Sequence, residues 1–470
     1  MIPAVFYRFT ALAILLLCSI SVKSQIVISN KNFSFGTTGR IGFGYSPDIE
    51  GHTGRQLNLL NQGSLGGRMD QGDYVDLLPS FHFMPVNANK EQTAIDFQVR
   101  LAFYSSNGTF LGNVNSGSTD GMIVSLPEAF VEARNIVGSQ WSVWAGARYM
   151  RYDDVHIADY FYFDDHSSQG FGIKYKKSSF SMFFPAAIDT TSSGMGTPYS
   201  YSNIITGNKS LTYRQREVMV AEHSFNLSRK HIVKLLAEYH HVPAVSKNAT
   251  PAFPSDNGFV AGFKINSELE TQKIGSFNQF SMRYGTGIAN GGDNGNTQTW
   301  RTFGAPGIED KTYKGAYSFT IVEHLMLNLS NRISINPYAV YTQSKGGADT
   351  MDKAPDFYNR DIYNYKTDLA VGTRVIYYMT NWFHLVSELH YTARQDSNNP
   401  TASMVKFALA PTIVPTAERS PWARPHLRFI AEVSRYNDYA KNAMYSPFLQ
   451  QAGQKRFGTY FGVRSEWWVF

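Results

Sequence analysis

Residues 95–103 read Ile-Asp-Phe-Gln-Val-Arg-Leu-Ala-Phe, and every odd-numbered position carries an apolar side chain. The positions between them are Asp96, Gln98, Arg100 and Ala102, of which three are polar or charged. Successive side chains of a β-strand point to opposite faces, so the segment predicts a strand with one apolar and one polar face. This pattern decides the fold because it recurs along the whole chain.

Alternating runs of this kind occur about eighteen times, separated by stretches rich in Gly, Asn, Asp and Ser. They predict an all-β protein whose strands follow one another along the chain. We place the strands near residues 33–46, 72–85, 92–106, 122–134, 139–149, 169–176, 178–187, 216–226, 231–242, 257–268, 275–286, 313–323, 332–343, 366–378, 381–393, 403–413, 425–437 and 456–470.

The composition excludes several classes of protein. The 470 residues include one cysteine, which rules out a disulfide scaffold and a zinc ribbon. Aromatic residues make up 14% and charged residues only 17%, which suits a chain that presents aromatic surface to something other than water. The net charge is +6, yet no basic cluster is longer than the pair Lys176-Lys177, and this argues against a nucleic-acid partner.

The first 24 residues have the features of a secretory signal peptide. Arg8 precedes an apolar run at residues 11–20, and Val22 and Ser24 stand where a signal peptidase requires small or tolerated residues. We therefore expect cleavage before Gln25 and a single domain over residues 25–470. Removing residues 1–24 takes away Arg8 and Lys23, which lowers the net charge from +6 to +4.

Two classes remain for the exported chain, namely a secreted β protein and an outer-membrane barrel. No later segment approaches the ~20 consecutive apolar residues that a membrane helix needs. Alternation alone does not tell which face points outward, but Tyr, Phe and Trp edge the apolar face, as interfacial aromatic girdles do. Short turns such as 229–230 alternate with long polar segments such as 345–365, and the chain ends on the aromatic Phe470. We predict a transmembrane antiparallel β-barrel of about eighteen strands.

Residues 144–164 carry a more specific signal. They contain Trp-Ala-Gly-Ala-Arg at 144–148, Asp-Val-His at 154–156, and then Asp159 at the start of an aromatic run. This pattern resembles the maltoporin family of sugar-specific porins. Three further stretches are similar to strands of that family, at residues 39–44, 277–284 and 422–429.

The resemblance implies an eighteen-stranded barrel in the outer membrane, assembled as a homotrimer and without a cofactor. It implies passive diffusion of maltose- and maltodextrin-type oligosaccharides along a line of lumenal aromatic rings flanked by charged side chains. A sugar packs its C–H face on a ring while its hydroxyls bond to ionised groups. It also implies that residues 153–165 fold into the barrel as a constriction loop.

The resemblance can be carried over to individual lumenal positions. Two positions depart from the family, because Thr38 replaces an aromatic residue and Pro127 replaces an arginine. A family tryptophan aligns at Met379, and Trp382 stands nearby as its substitute. The implied aromatic slide is Tyr74, Phe161, Phe277, Trp382 and Trp468. The implied polar track is Arg40, Asp76, Arg151 and Asp159, with Arg151 standing for the family arginine that precedes Asp-Val-His.

Two other functions fit the sequence. One is a general diffusion pore, or a diffusion pore with a preference for anions, which would suit the net charge of +4 and the replaced slide positions. The other is an outer-membrane hydrolase or adhesin barrel; a hydrolase would need an inward or rim Ser/His pair, and His156 is the only well-framed histidine. Asp154 with His156 can be read as a metal or catalytic pair, but such a pair in a loop more often braces the loop by hydrogen bonds. We therefore expect neither an enzyme nor a metal site.

Overall fold

The computed structural model describes residues 28–30, 32–49, 56–83, 92–105, 122–185, 201–202, 209–210, 216–244, 254–271, 273–291, 299–357 and 359–469. The predicted signal peptide, residues 1–24, and the terminal Phe470 lie outside the described residues. Eighteen long strands run through the described part of the chain. In chain order they are β1 Phe33–Tyr45, β2 Tyr74–His82, β3 Ala94–Ser105, β4 Met122–Arg134, β5 Trp141–Arg148, β6 Ser168–Tyr175, β7 Ser178–Phe183, β8 Glu217–Asn226, β9 His231–Val242, β10 Asp256–Leu269, β11 Ser276–Thr286, β12 Tyr317–Asn328, β13 Ile333–Lys345, β14 Tyr365–Tyr378, β15 Phe383–Asp396, β16 Ala402–Ile413, β17 His426–Tyr436 and β18 Phe457–Val469.

The strands form one closed antiparallel barrel. Each strand pairs with the next in the chain, and β18 pairs back with β1, where Glu466 lies opposite Arg40 and Trp468 opposite Thr38. Closure leaves no unpaired edge, which a barrel in a membrane requires. The predicted fold class and strand number are confirmed. The largest shift is in β12, predicted at 313–323 and found at Tyr317–Asn328.

The apolar face of the strands points outward. Large apolar side chains are exposed on the outer wall, among them Phe43 at 63% and Phe429 at 46%. The inward positions of the same strands are buried and often charged, such as Arg428 on β17 and Arg40 on β1. An inverted arrangement of this kind fits a barrel wall surrounded by lipid.

The two ends of the barrel differ. Short connections such as 176–177, 329–332 and 379–382 join strands at one end, which we call the turn end. Longer connections lie at the other end. Among the described residues, those that fold into the lumen include inner loop 1, residues 56–73, and inner loop 2, residues 149–167. The inward fold predicted for residues 153–165 is therefore confirmed.

The remaining described elements are short. Asn437 and Ser446 cap two helices between β17 and β18 by accepting bonds from the backbone N–H of Ala440 and Leu449. Within the described residues, no helix combines the length and the apolar character that crossing a membrane demands. The short elements are the helices Asp438–Asn442 and Pro447–Ala452, the 3-10 turns Ile136–Gly138, His156–Ala158 and Gly287–Ala289, the strand Ile28–Ser29, and the strand pairs Asp154–Val155 with Tyr160–Phe161, Tyr201–Ser202 with Lys209–Ser210, and Lys353–Pro355 with Asp361–Tyr363.

Candidate functional site

Inner loop 2 is anchored by its own apolar residues. Val155, Ile157, Tyr160, Tyr162 and Phe163 are at most 1% exposed. They pack against inward apolar side chains of one half of the wall, so burial of this surface holds the loop inside. The wall residues in this cluster are Phe130, Trp144, Phe183, Val218, Val220, Leu236, Val260, Val322, Tyr338, Val340 and Ala370.

Two lysines of the wall add charged anchors to inner loop 2. Lys234 lies 2.7 Å from a carboxylate oxygen of Asp164 and 3.7 Å from one of Asp153. Lys264 also donates to Asp153. These contacts fix both sides of the loop, before and after its aromatic run.

Arg151 and Phe161 lie together on the lumenal side of inner loop 2. The Arg151 guanidinium carbon lies 3.6 Å from the centre of the Phe161 ring. Arg151 also donates to the Tyr149 hydroxyl at 2.7 Å and pairs with Asp165 at 2.9 Å. Phe161 remains partly exposed, whereas its neighbours Tyr160 and Tyr162 are buried. The structure thus brings together two residues that the sequence assigned to track and slide.

Inner loop 1 is held on the opposite half of the wall by both apolar and polar contacts. Leu57, Leu59 and Met69 are at most 2% exposed and pack in a cluster with wall side chains such as Met404 and Tyr436. Asp70 pairs with Lys406 at 3.0 Å and accepts a bond from the backbone N–H of Leu57 at 2.7 Å. Gln62 donates to Asp368 at 2.9 Å. The loop turns sharply at Gly67, whose φ of +99° favours glycine and where a Cβ would lie 2.7 Å from a ring nitrogen of His390.

The two inner loops meet near the turn end. The Nη2 group of Arg68 lies 2.8 Å from Nε2 of His156 and 2.5 Å from a carboxylate oxygen of Glu466. Arg424, in the connection before β17, lies 3.6 Å from Glu466 and 4.0 Å above the Trp468 ring. Three parts of the chain that are distant in sequence therefore meet around one glutamate.

His156 is enclosed by aromatic rings in this region. Its ring centre lies 5.3 Å from that of Trp422 and 5.2 Å from that of Trp468. Burial, and then the charges of Arg68 and Arg424, hold the pKa of His156 well below its usual value. A neutral imidazole accepts a bond from the Arg68 guanidinium. Oδ2 of Asp154 lies 3.6 Å from Nδ1 of His156, which is beyond hydrogen-bond distance, so Arg68 and not Asp154 is a hydrogen-bond partner of His156.

Arg40, Tyr74 and Asp76 lie on the lumenal face of β1 and β2. The Arg40 guanidinium carbon lies 5.2 Å from the Tyr74 ring centre, and its Nε donates to the Gly72 carbonyl at 3.1 Å. Asp76 pairs with Arg100 at 3.0 Å. Asp159 of inner loop 2 lies in the field of both Arg40 and Arg68. The predicted track residues are thus electrostatically connected.

Phe277 and Trp382 lie apart from these groups along the chain. Phe277 is on the inward face of β11, and its ring makes an edge contact with buried His324 at 5.3 Å. Trp382 lies in the turn before β15 with 49% of its surface exposed. It is therefore placed at the turn end and outside the strand, although its position continues the inward pattern of β15. A sugar-binding role for both residues stays a prediction.

Several residues at the meeting point were not assigned from the sequence. Trp422, Arg424 and Arg428 belong to the stretch 422–429 that carries the resemblance, and Arg428 stands on the polar face of β17. Arg68 lies in a segment without strand periodicity, and its only local signal is the preceding pair of glycines. Among the residues that the structure describes, no group of three or more His, Cys, Asp or Glu side chains is arranged to hold a metal ion.

Comparison with known proteins places this geometry in context. The family model described as LamB porin matches residues 33–468. A maltoporin from Hahella chejuensis (strain KCTC 2396) is 23% identical over 385 residues, which cover 81% of this chain and 81% of the relative. The in-vitro folded outer membrane protein OmpT of Vibrio cholerae aligns with a TM-score of 0.40 and 8% identity over 94% of this chain and 99% of that chain. Salmonella typhi OmpF in complex with daunomycin gives a TM-score of 0.41 and 11% identity over 94% and 100%.

Proposed function

Since this chain belongs to the LamB porin family and is thus an outer-membrane channel, we propose that it passes maltose- and maltodextrin-type oligosaccharides by passive diffusion. The proposed path is a line of lumenal aromatic rings with charged side chains beside them. The rings bind the apolar face of a sugar, and the charged groups exchange hydrogen bonds with its hydroxyls.

One observation carries the proposal. Three of the aromatic residues predicted as slide residues are partly exposed, and each has a guanidinium group over its ring. Such a site offers stacking and hydrogen bonding to the same sugar unit. The three pairs are Tyr74 with Arg40 at 5.2 Å, Phe161 with Arg151 at 3.6 Å, and Trp468 with Arg424 at 4.0 Å.

Partial exposure separates these rings from the aromatic residues that anchor inner loop 2. Tyr160, Tyr162 and Phe163 are at most 1% exposed and anchor inner loop 2. Phe161 follows Tyr160 directly, yet its ring keeps surface that a sugar can reach. Because a guanidinium group already covers part of each of these rings, a sugar can stack only on the remaining part and therefore binds weakly. Weak binding at several sites suits conduction.

Reversible block of ion current in planar bilayers tests the proposal. We expect maltooligosaccharides at millimolar concentration to block wild-type channels. Phe161→Ala removes a ring worth about 1 kcal/mol of stacking, so the blocking constant weakens roughly threefold to tenfold. The matched control is Phe43→Ala, which removes an outward ring of the same type and leaves the block unchanged.

A current that no maltooligosaccharide blocks would overturn the sugar-specific function and leave a general diffusion pore. Equal weakening by Phe161→Ala and Phe43→Ala would show that the lumenal ring does not act on the sugar. Hydrolysis of the sugar that persists unchanged in His156→Ala, or a wild-type channel that does not hydrolyse the sugar, would count against an enzymatic role for the Asp154 and His156 pair.

The assembly and maturation proposed here rest on the resemblance and on the first residues of the chain. We propose a homotrimer, cleavage before Gln25, and one barrel domain over residues 25–470. Mass spectrometry of the protein extracted from outer membranes tests the cleavage, and crosslinking in the membrane tests the trimer. A mature N-terminus at another position, or only monomeric species, would contradict the respective proposal.

A further inference from the structure

Five arginines converge in the lumen around Glu466, and we call them the arginine cluster. Three of them lie on the inner face of strands, and two lie in connections between strands. Each is at most 6% exposed. Burying this much positive charge is unfavourable unless it is compensated by negative charge. The arginine cluster is Arg40 on β1, Arg68 on inner loop 1, Arg424 before β17, Arg428 on β17 and Arg464 on β18.

The carboxylates around the arginine cluster do not balance it. Glu466 lies 2.5 Å from Arg68, 3.6 Å from Arg424 and 3.5 Å from Arg428. Asp73 lies 3.2 Å from Arg464. Glu466 is thus shared by three guanidinium groups, and Asp73 pairs with a fourth, that of Arg464.

Two acids of inner loop 2 lie in the same electrostatic field. The negative charge of Asp159 interacts electrostatically with the guanidinium groups of Arg40 and Arg68. Burial, and then the charge of Asp159, raises the pKa of Asp154 to about 7, so Asp154 adds less than one full negative charge at neutral pH. The five positive charges still exceed the negative ones. In agreement, burial is the main reason that the pKa of Arg424 falls to about 10, with Arg68 adding to the effect.

Several buried N–H donors of the arginine cluster lack an acceptor among the described residues. In the described part of the chain, Nη1 of Arg40 and the Nε groups of Arg428 and Arg464 are buried without a hydrogen-bond partner. Buried donors are nearly always satisfied in folded proteins, so an unsatisfied group points to a missing ligand or solvent molecule. A guanidinium donor prefers an anionic acceptor to water.

These donors border a small cavity. Four of the five arginines line it, together with His426 and Glu466. The space inside is about 10 Å³, close to the least that one water-sized group needs. The cavity therefore has room for one oxygen of an anionic group.

We propose that the arginine cluster is a binding site for a single anionic group and makes the channel prefer anions to cations. The occupant is one oxygen of a free inorganic oxyanion such as phosphate, or a terminal oxygen of a phosphate group carried by a solute. This deepens the proposed function, because the site lies in the same lumen and adds anionic solutes to the sugars that pass. An excess of fixed positive charge in a narrow, low-dielectric passage concentrates anions there.

The reversal potential across planar bilayers in a potassium chloride gradient tests the proposal, with the full mature channel. We expect chloride to be more permeant than potassium in the wild type. The double variant Arg40→Gln with Arg428→Gln should lower the permeability ratio by about threefold or more. The control Lys177→Gln removes one charge from an exposed turn and should leave the ratio unchanged.

A competition arm distinguishes the two sources of the anion and does not depend on the variants. Inorganic phosphate that lowers chloride conductance supports the free anion, and a stronger effect of glucose 1-phosphate than of inorganic phosphate supports the sugar-borne group. Neutral glucose is the control. A wild-type channel without anion preference, and without response to either phosphate, would overturn the inference. Sugar block can persist in that case, so failure of this inference and failure of the proposed function are separate results.

Discussion

Inner loop 1 and inner loop 2 both fold into the lumen on apolar side chains and ion pairs, but the Asp70–Lys406 pair of inner loop 1 is fully buried, whereas the Asp164–Lys234 pair of inner loop 2 is partly exposed. Inner loop 2 places five consecutive or near-consecutive apolar groups against an apolar half of the wall. Inner loop 1 packs Leu57 and Met69 on the opposite half and also places Asp70 and Gln62 on partners from β16 and β14. Both loops thus combine two modes of attachment, burial of apolar side chains and ion pairs with lysines of the wall. The four following experiments separate the two modes of attachment.

The largest effect is expected from a cavity in the apolar anchor of inner loop 2. Phe163→Ala removes a fully buried ring and weakens the loop by about 3–5 kcal/mol. Inner loop 2 should then leave the wall, so single-channel conductance should rise and sugar block should fall. Conductance in planar bilayers checks this. The outward control Phe429→Ala should change neither quantity, and unchanged conductance in Phe163→Ala would show that burial does not anchor the loop.

A buried charge in inner loop 1 should behave differently. Lys406→Met leaves Asp70 without its ammonium partner and weakens the protein by about 3 kcal/mol. Adding Asp70→Asn should restore most of the loss, because both buried charges are then gone. Thermal unfolding in detergent measures the four members of this double-mutant cycle. Additive effects would mean that the ion pair does not hold the loop.

The contact between the loops should respond to a smaller change. Arg68→Lys keeps the positive charge but loses the planar group that reaches both Glu466 and His156. We expect a loss of about 1 kcal/mol in the stability of the closed arrangement, seen as more frequent open-channel noise. Recordings that match the wild type would show that Arg68 acts only through its charge.

The smallest effect concerns pH, and it belongs to inner loop 2. The pKa of His156 is lowered, so its contribution to stability is present above the unfolded value of about 6.5 and declines as the pH falls below it. The pKa of Asp154 is raised to about 7, so its contribution is full below the unfolded value of about 4 and is lost as the pH rises to 7.

Single substitutions separate these opposing contributions. Asp154→Asn leaves the His156 effect, so inner loop 2 should loosen as the pH falls from 7 to 4. His156→Gln leaves the Asp154 effect, so the loop should tighten over the same range. Open-channel noise between pH 4 and 7 is the measurement. Two variants with the same pH profile would contradict both assignments.

The sequence predicted inner loop 2 but not inner loop 1. The aromatic run after Asp159 is a local and unusual pattern, and it also carried the family resemblance. Inner loop 1 has leucines, glycines and single charges without a period, so no local signal showed that Asp70 would find Lys406. The same reason hid Arg68 and Arg424 from the predicted track, whereas Arg40 and Asp76 stood in regular strands.

The sequence by itself determined the β-strands, their approximate number and which residues share a face within each strand. That information is local, because the side-chain period of two is present within every strand. Only the tertiary structure decided which charges meet in the lumen. Arg68 and Glu466 are separated by 398 positions in the chain, and closure of the barrel between β18 and β1 brings that half of the wall to the loops. Which side chains meet in the lumen therefore depends on contacts between distant parts of the chain, and no single segment of the sequence contains that information.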